Sequence, residues 1–162
     1  MSSAQKSVRI MKHLFTTERE ARRHFPRRIM DAVQASISRL DGTHRGRLVF
    51  VVEAALPVKD VFKNVTPRDR ALQLFSELRI WDTERNNGIL IYVLIADRSI
   101  EIVADRAIHL CSGDITWQRI MDEMKIAFAT GRHEHGAKRG VTALAEELAI
   151  HFPSANTDPS VS

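Results

Sequence analysis

From Ile89 to Ile95 the chain reads Ile-Leu-Ile-Tyr-Val-Leu-Ile, seven apolar residues without a polar break. A run this short and this rich in β-branched and aromatic residues predicts a strand covered on both faces. It is entered through Arg85-Asn86-Asn87-Gly88 and left through Asp97-Arg98-Ser99, two polar knots of turn-forming residues. Around it, other periodicities predict the remaining elements. Val8, Met11, Leu14 and Phe15 recur at helical spacing over 4–15. Thr17-Glu18-Arg19-Glu20 fits a capping box that starts a short helical turn, which Phe25-Pro26 breaks. Ile29, Met30, Val33, Ile37 and Leu40 then stripe a helix over 27–40, with Gly42 as its stop.

Leu48-Val49-Phe50-Val51-Val52 predicts a strand within 47–56. Thr66-Pro67-Arg68-Asp69 supplies an N-cap, a proline at the first helical position and an acid in the first turn. That helix is expected to run to about Trp81, with Ala71, Leu72, Phe75 and Leu78 inward. A third strand is expected over 100–108, paired with the second as an antiparallel hairpin. Ser112-Gly113-Asp114 is expected to cap a helix over 115–130, bearing Ile115, Trp117, Ile120, Met121, Met124 and Phe128 and ending at Gly131. A last helix is expected over 134–152, with Val141, Leu144, Ala145, Leu148 and Phe152 inward. The order is α-β-α-β-β-α-α. The first two strands flank a helical crossover and should be parallel. The expected fold class is α/β, a mixed sheet with helices on both faces. Three regions are expected: a basic amphipathic helical segment over 1–25, the α/β domain over 26–152, and a disordered tail over 153–162.

Charge adds an asymmetry to this picture. The net charge is +4. Residues 1–50 hold 11 Lys/Arg against 4 Asp/Glu, or +7, and the rest of the chain is at −3. Arg22, Arg23, Arg27 and Arg28 form the densest cluster, a candidate patch for an anionic partner. The alternative is a solvated helix junction. No aromatic interleaving, zinc pattern or RNA-binding motif accompanies it, so nucleic acid is not expected. No apolar run approaches the roughly 18–20 residues of a membrane-spanning helix. Lys6, Arg9 and Lys12 interrupt the N-terminus, so no secretory signal is expected. Cys111 is the single cysteine, and a reducing cytoplasm is the expected home, with peripheral attachment to a membrane in keeping with the basic N-terminal segment.

The run Trp81-Asp82-Thr83-Glu84-Arg85-Asn86-Asn87-Gly88-Ile89-Leu90-Ile91, followed by Ala96-Asp97-Arg98-Ser99 and the strand after it, resembles the TPM domain. That family occurs in bacterial membrane-linked proteins, in a plant thylakoid lumen protein and in animal relatives. The resemblance extends over about 29–148. The chain departs from the commonest pattern in two places. Trp81-Asp82 stands where most members have a glycine before the Asn-Asn-Gly. Val103-Ala104-Asp105-Arg106 stands where many continue into Val-Gly-x-Gly. The chain is similar to a short, soluble subgroup lacking a signal peptide and a transmembrane segment. The resemblance implies divalent-metal binding or phosphatase activity as the chemistry to look for.

Oxygen ligands for Ca²⁺ or Mg²⁺ are present on the residues themselves. Asp82, Asn86 and Asn87 precede the second strand, and Asp105 returns beside its start at the end of the third. Asp97 lies at the opposite end, separated by seven or more strand residues at about 3.3 Å each. The candidate metal or ligand site is therefore Asp82, Asn86, Asn87 and Asp105, with Trp81, Glu84 and Arg106 as a candidate pocket wall. Asp82-x-Glu84-x-Asn86 imitates an EF-hand opening, but Asn87 stands where glycine is required and Val93 where the bidentate Glu belongs. The competing reading is that Asn86 and Asn87 only turn the backbone into the strand. His133-Glu134-His135 reads as an exposed loop, and His109 with Cys111 lacks the further ligands zinc needs. No P-loop, Gly-x-Ser-x-Gly or dinucleotide fingerprint is present. The functional expectation is an interaction module for a protein or an anionic membrane surface, with divalent-metal binding; the alternative is a metal-dependent phosphatase-like hydrolase.

Overall fold

A computed structural model of the chain describes residues 2–154. Its elements are α1 (Ser3–Phe15), α2 (Glu18–His24), α3 (Arg27–Leu40), β1 (Arg47–Glu53), α4 (Val58–Phe62), α5 (Pro67–Glu77), β2 (Gly88–Leu94), β3 (Ser99–Ala104), α6 (Arg106–Ala129) and α7 (His133–His151). The three strands form one mixed sheet in the order β1-β2-β3. β1 runs parallel to β2 with Leu48 opposite Ile89, and β3 runs antiparallel with Ala104 opposite Ile89.

Period-two alternation along β2 divides the core into two layers. Ile89, Ile91 and Val93 face Val33 and Ile37 of α3, Ile120 and Met124 of α6, and Leu144 and Leu148 of α7. Leu90, Tyr92 and Leu94 face Leu56, Val61, Ala71, Leu74 and Ile80. All seven β2 residues are buried, and each of the six apolar side chains from Ile89 to Leu94 contributes about 1.5–3 kcal/mol by leaving water. Tyr92 carries the one polar atom in the second layer. Its hydroxyl donates to Glu53 at 2.7 Å, and Arg70 holds the same carboxylate through Nη2 and Nε at 2.7 and 3.1 Å. Burial and then the Glu53 bond push the Tyr92 phenol far above its ordinary pKa.

The helix starts follow their caps. Thr66 and Asp69 make the reciprocal bonds of a capping box behind Pro67, and Ser2 and Gln5 make another at α1. α5 stops at Glu77 rather than at Trp81, because Arg79 adopts a left-handed backbone, φ 51°. Leu78 therefore falls at the cap and is exposed, contrary to expectation. Leu72 is exposed too, since it sits about 100° around the helix from buried Ala71. The third strand ends at Ala104, not near residue 108. Asp105 caps α6, whose helical backbone is interrupted at Gly113, φ 76°, so a helical stretch does start beyond Ser112-Gly113-Asp114 as expected, and the unexpected part is the stretch from Arg106 before it. Beyond the bend Trp117, Ile120, Met124 and Ala127 keep the buried stripe. Ile115, two residues out of phase with Trp117, is 88% exposed instead of inward. The short α4 has no counterpart in the periodicity. The tail expected after residue 153 lies almost wholly outside the described residues, although Pro153 forms an isolated bridge with His44.

α1 docks through Ile10, which packs against the second core layer, and through polar contacts. Val8, Met11, Leu14 and Phe15 all face outward, with Phe15 at 70% exposed. Arg9 and His13 instead grip Asp97 in the β2–β3 turn, at 2.8 and 3.0 Å. Arg9 also donates to the Val65 carbonyl, and His13 Nδ1 accepts from the Leu56 N–H at 2.9 Å. That acceptor role leaves the ring proton on Nε2, pointed at the carboxylate. On the outer side of β3, Arg68 Nη1 donates to the Ile102 carbonyl.

Burial alone would raise the Asp97 carboxyl, but the bonds from Arg9 and His13 outweigh it and hold it below the usual aspartate range. A depressed folded-state value adds stability above the unfolded value of about 3.9, lost as pH falls below it. Asp97→Asn is expected to cost about 2 kcal/mol at pH 7 and less near pH 3, below the unfolded value. Urea unfolding of both proteins at the two pH values measures this, and an equal cost at both would refute it.

Candidate functional site

The polar knot ahead of β2 is built by local bonds and then pinned to the end of β3. The Asn87 N–H donates to Thr83 Oγ1 at 3.1 Å, which closes the turn. Asn86 takes a left-handed backbone, φ 50°, a conformation asparagine tolerates better than most residues. Its carbonyl accepts from the Ala107 N–H at 3.0 Å, while the Gly88 carbonyl accepts from the Asp105 N–H at 2.8 Å. The segments 86–88 and 105–107 therefore form one corner, at the entrance of β2 and the foot of α6. Gly88 is required there because a Cβ would collide with the Ile80 carbonyl.

Among the described residues, three buried polar atoms have no hydrogen-bond partner: Asn87 Oδ1 and Asp105 Oδ2 in this corner, and His44 Nε2. Asn87 is fully buried, and its Nδ2 donates to the Arg45 carbonyl at 3.4 Å. Asp105 spends Oδ1 on the Arg106 N–H at 2.7 Å. An unpaired buried acceptor costs about 1–3 kcal/mol, and more when charged, so two in one corner are a real expense for the fold. His44 Nδ1 accepts from the Gly46 N–H at 3.2 Å, which places its proton on Nε2. Burial, outweighing nearby Asp41, lowers the His44 pKa and favours the neutral ring.

The other expected site residues are spread around this corner. Asp82 is exposed and turned to Arg79 at 3.0 Å. The Arg79 guanidinium lies 5.8 Å from the centre of the Trp81 ring, which is itself half-exposed. Glu84, Asn86 and Arg106 are exposed. Asn86, Asn87, Asp105 and Arg106 are thus joined through backbone bonds, whereas Asp82 is held by its own neighbour. Among the described residues no group of three or more His, Cys, Asp or Glu is arranged to hold a metal ion. Asp97 sits at the far end of the sheet, committed to α1.

Elsewhere, His109 and Cys111 lie on α6 rather than at a strand end. His109 Nδ1 accepts from the Trp117 indole, and Cys111 is exposed. Glu134 bonds Arg28 at 2.7 Å and Lys138 at 3.2 Å, on helix α7 rather than in a loop. The basic cluster is divided. Arg28 is taken by Glu134 and Arg27 lies 3.8 Å from Asp31. Arg22 and Arg23 project from α2 with no acid in ion-pair reach among the described residues. His44 and the Arg45 carbonyl were not foreseen. The Arg45 carbonyl comes to Asn87 across about forty residues of chain, and His44 is buried beside Gly46 and Pro153; nothing in their local sequence announces either.

The fold and this corner define a class. The model of the TPM domain matches residues 27–147, and the chain belongs to that family. No curated protein matches it. Among solved structures it is similar in fold to the BA42 protein of the psychrophilic bacterium Bizionia argentinensis, determined by NMR. That likeness has a TM-score of 0.67 at 22% identity and covers 81% of this chain and 86% of the other. α1 and α2 precede the matched region. No helix among the described residues is long and apolar enough to cross a membrane.

Gly88→Ala is expected to lower stability by about 3 kcal/mol, because the methyl must displace backbone rather than a mobile side chain. Gly42→Ala, where a Cβ meets nothing within 4 Å, should change stability by less than about 0.5 kcal/mol. Thermal unfolding followed by circular dichroism checks both, and equal losses would contradict the packing at Gly88.

Proposed function

We propose that this TPM domain is a binding module that takes a divalent cation, Ca²⁺ or Mg²⁺, at the entrance of β2. The observation that carries the reading is the pair of orphaned buried acceptors, Asn87 Oδ1 and Asp105 Oδ2, at one corner of the sheet. Both are hard oxygens, the donors these cations prefer. A cation there would repay the lost solvation of both and offset the Asp105 charge. The exposed oxygens of Glu84 and Asn86 flank the corner, and Asp82 would have to leave Arg79 to join. A site with so few committed protein ligands would leave the rest of the shell to water and bind in the millimolar range.

Millimolar Ca²⁺ is expected to move the amide resonances of residues 82–88 and 103–106 and to raise the melting temperature by several degrees. Asp105→Asn keeps a helix cap but removes the charge, and should abolish both effects. Unmoved amides in the wild type would end the reading. Turnover of a generic phosphate ester by the wild type, lost in Asp105→Asn, would favour the phosphatase-like alternative over a binding module.

A second reading rests on a separate observation, the outward apolar side of α1. Val8, Met11, Leu14 and Phe15 face solvent, with Lys12 exposed on the same helix and Arg22 and Arg23 on the next. An amphipathic helix of this kind suits the surface of an anionic membrane. Flotation with vesicles containing phosphatidylserine should carry the protein upward at low salt. Met11→Ser with Phe15→Ser should reduce the floated fraction at least tenfold, and flotation independent of charge or of these two side chains would refute it.

A further inference from the structure

A second cavity, of about 620 Å³, opens at the other end of β2. That volume falls in the range of about 300–1,000 Å³ typical of small-molecule sites. In open α/β sheets, ligands sit beyond the carboxyl ends of the strands, which is where this cavity lies. Its lining mixes apolar and polar groups: Ile95 and Phe128 border it with part of their surface exposed, over the buried Phe25, Val93 and Ile100. The rings form a connected wall. Phe25 meets Phe128 edge-on at 5.3 Å, and Phe128 stacks on His133 at 5.4 Å. His24 leans on His133 at 4.9 Å. Burial first, and then His24, lowers the His133 pKa, so this wall carries little charge at neutral pH.

The mouth is different. Arg98 and Lys125 stand on it as cations and Glu20 as the one acid. Arg98 belongs to the β2–β3 turn, where its own N–H is bonded to the Ile95 carbonyl and its backbone is left-handed, φ 49°. No acid lies in ion-pair reach of its guanidinium among the described residues. Lys125 has only a long, exposed contact of 3.8 Å with Asp122. Two cations against one carboxylate leave a net single positive charge above a partly apolar, aromatic chamber. That balance fits one negative charge on a greasy body better than a dianion or an uncharged molecule.

We propose that this chamber binds an amphipathic monocarboxylate, its apolar body against Ile95 and Phe128 and its carboxylate between Arg98 and Lys125. Glu20, His24 and Phe25 precede residue 27, where the family match begins. The chamber is therefore completed by α2 and its cap Phe25 and is separate from the corner at Asn87 and Asp105. It does not depend on that corner holding a cation.

The test is a titration of the full-length chain, without added divalent cation, with octanoate, with octanol and with inorganic phosphate, followed by amide NMR. Octanoate is expected to move resonances of residues 93–100 and 125–133 and to leave 82–88 still. Octanol and phosphate should each bind at least tenfold more weakly. Arg98→Asn with Lys125→Gln removes both charges, and asparagine tolerates the left-handed backbone, so the fold should persist while octanoate affinity falls about tenfold. Ala129→Trp, at an exposed position on the chamber wall, should plug it and abolish binding. Octanol binding as tightly as octanoate, or octanoate affinity unchanged in both variants, would overturn the proposal. Shifts confined to α1 would do so as well.

Discussion

β2 has no free side. β1 and β3 take its two edges, α3, α6 and α7 cover one face, and α4, α5 and Ile80 cover the other. Six buried apolar side chains in succession can be accommodated only this way, and the rest of the domain is arranged around satisfying them. A strand enclosed like this offers chemistry only where it enters and where it leaves. Both ends are polar in this chain, and the two are chemically unlike.

At the entrance the unmet demand is for positive charge. Asn87 and Asp105 bury oxygens that no donor reaches, in a corner made rigid by Gly88 and by bonds to the Thr83 hydroxyl and the foot of α6. At the exit the demand is reversed, with Arg98 and Lys125 facing an aromatic chamber. Asp97, next to Arg98, does not join that balance because Arg9 and His13 have claimed it. The ion pairs of α1 thus decide which charges the exit presents. They remove one acid from a turn that would otherwise be neutral.

Much of this was readable along the chain because it was encoded locally. The continuous apolar run identified a doubly covered strand, Thr66-Pro67-Arg68-Asp69 marked a helix start, and the length of β2 kept Asp97 apart from Asp105. The misreadings share a different cause. An aspartate after an alternating strand continues it or caps a helix equally well, so periodicity carries β3 past Ala104 and hides the helical stretch that Asp105 caps ahead of Gly113. α1 was read by its apolar spacing, yet Arg9 and His13 belong to its docking face because their partner lies more than eighty residues away. His44 belongs to the same class: its burial is set by contacts that no window of sequence contains. The exit chamber needed Phe25, Ile100 and Phe128 to meet, and their separation in the chain hides it.

The guanidinium of Arg68, bonded to the Ile102 carbonyl, bears on how the molecule behaves in company. β3 is the outer strand of the hairpin, and an outer strand is a template on which another chain can extend the sheet. An acceptor already occupied by a charged side chain cannot start that pairing without first giving up the bond, and the charge itself repels a neighbouring copy brought in at the same register. The bond thereby guards the β3 edge of the sheet against a pairing that would begin at Ile102.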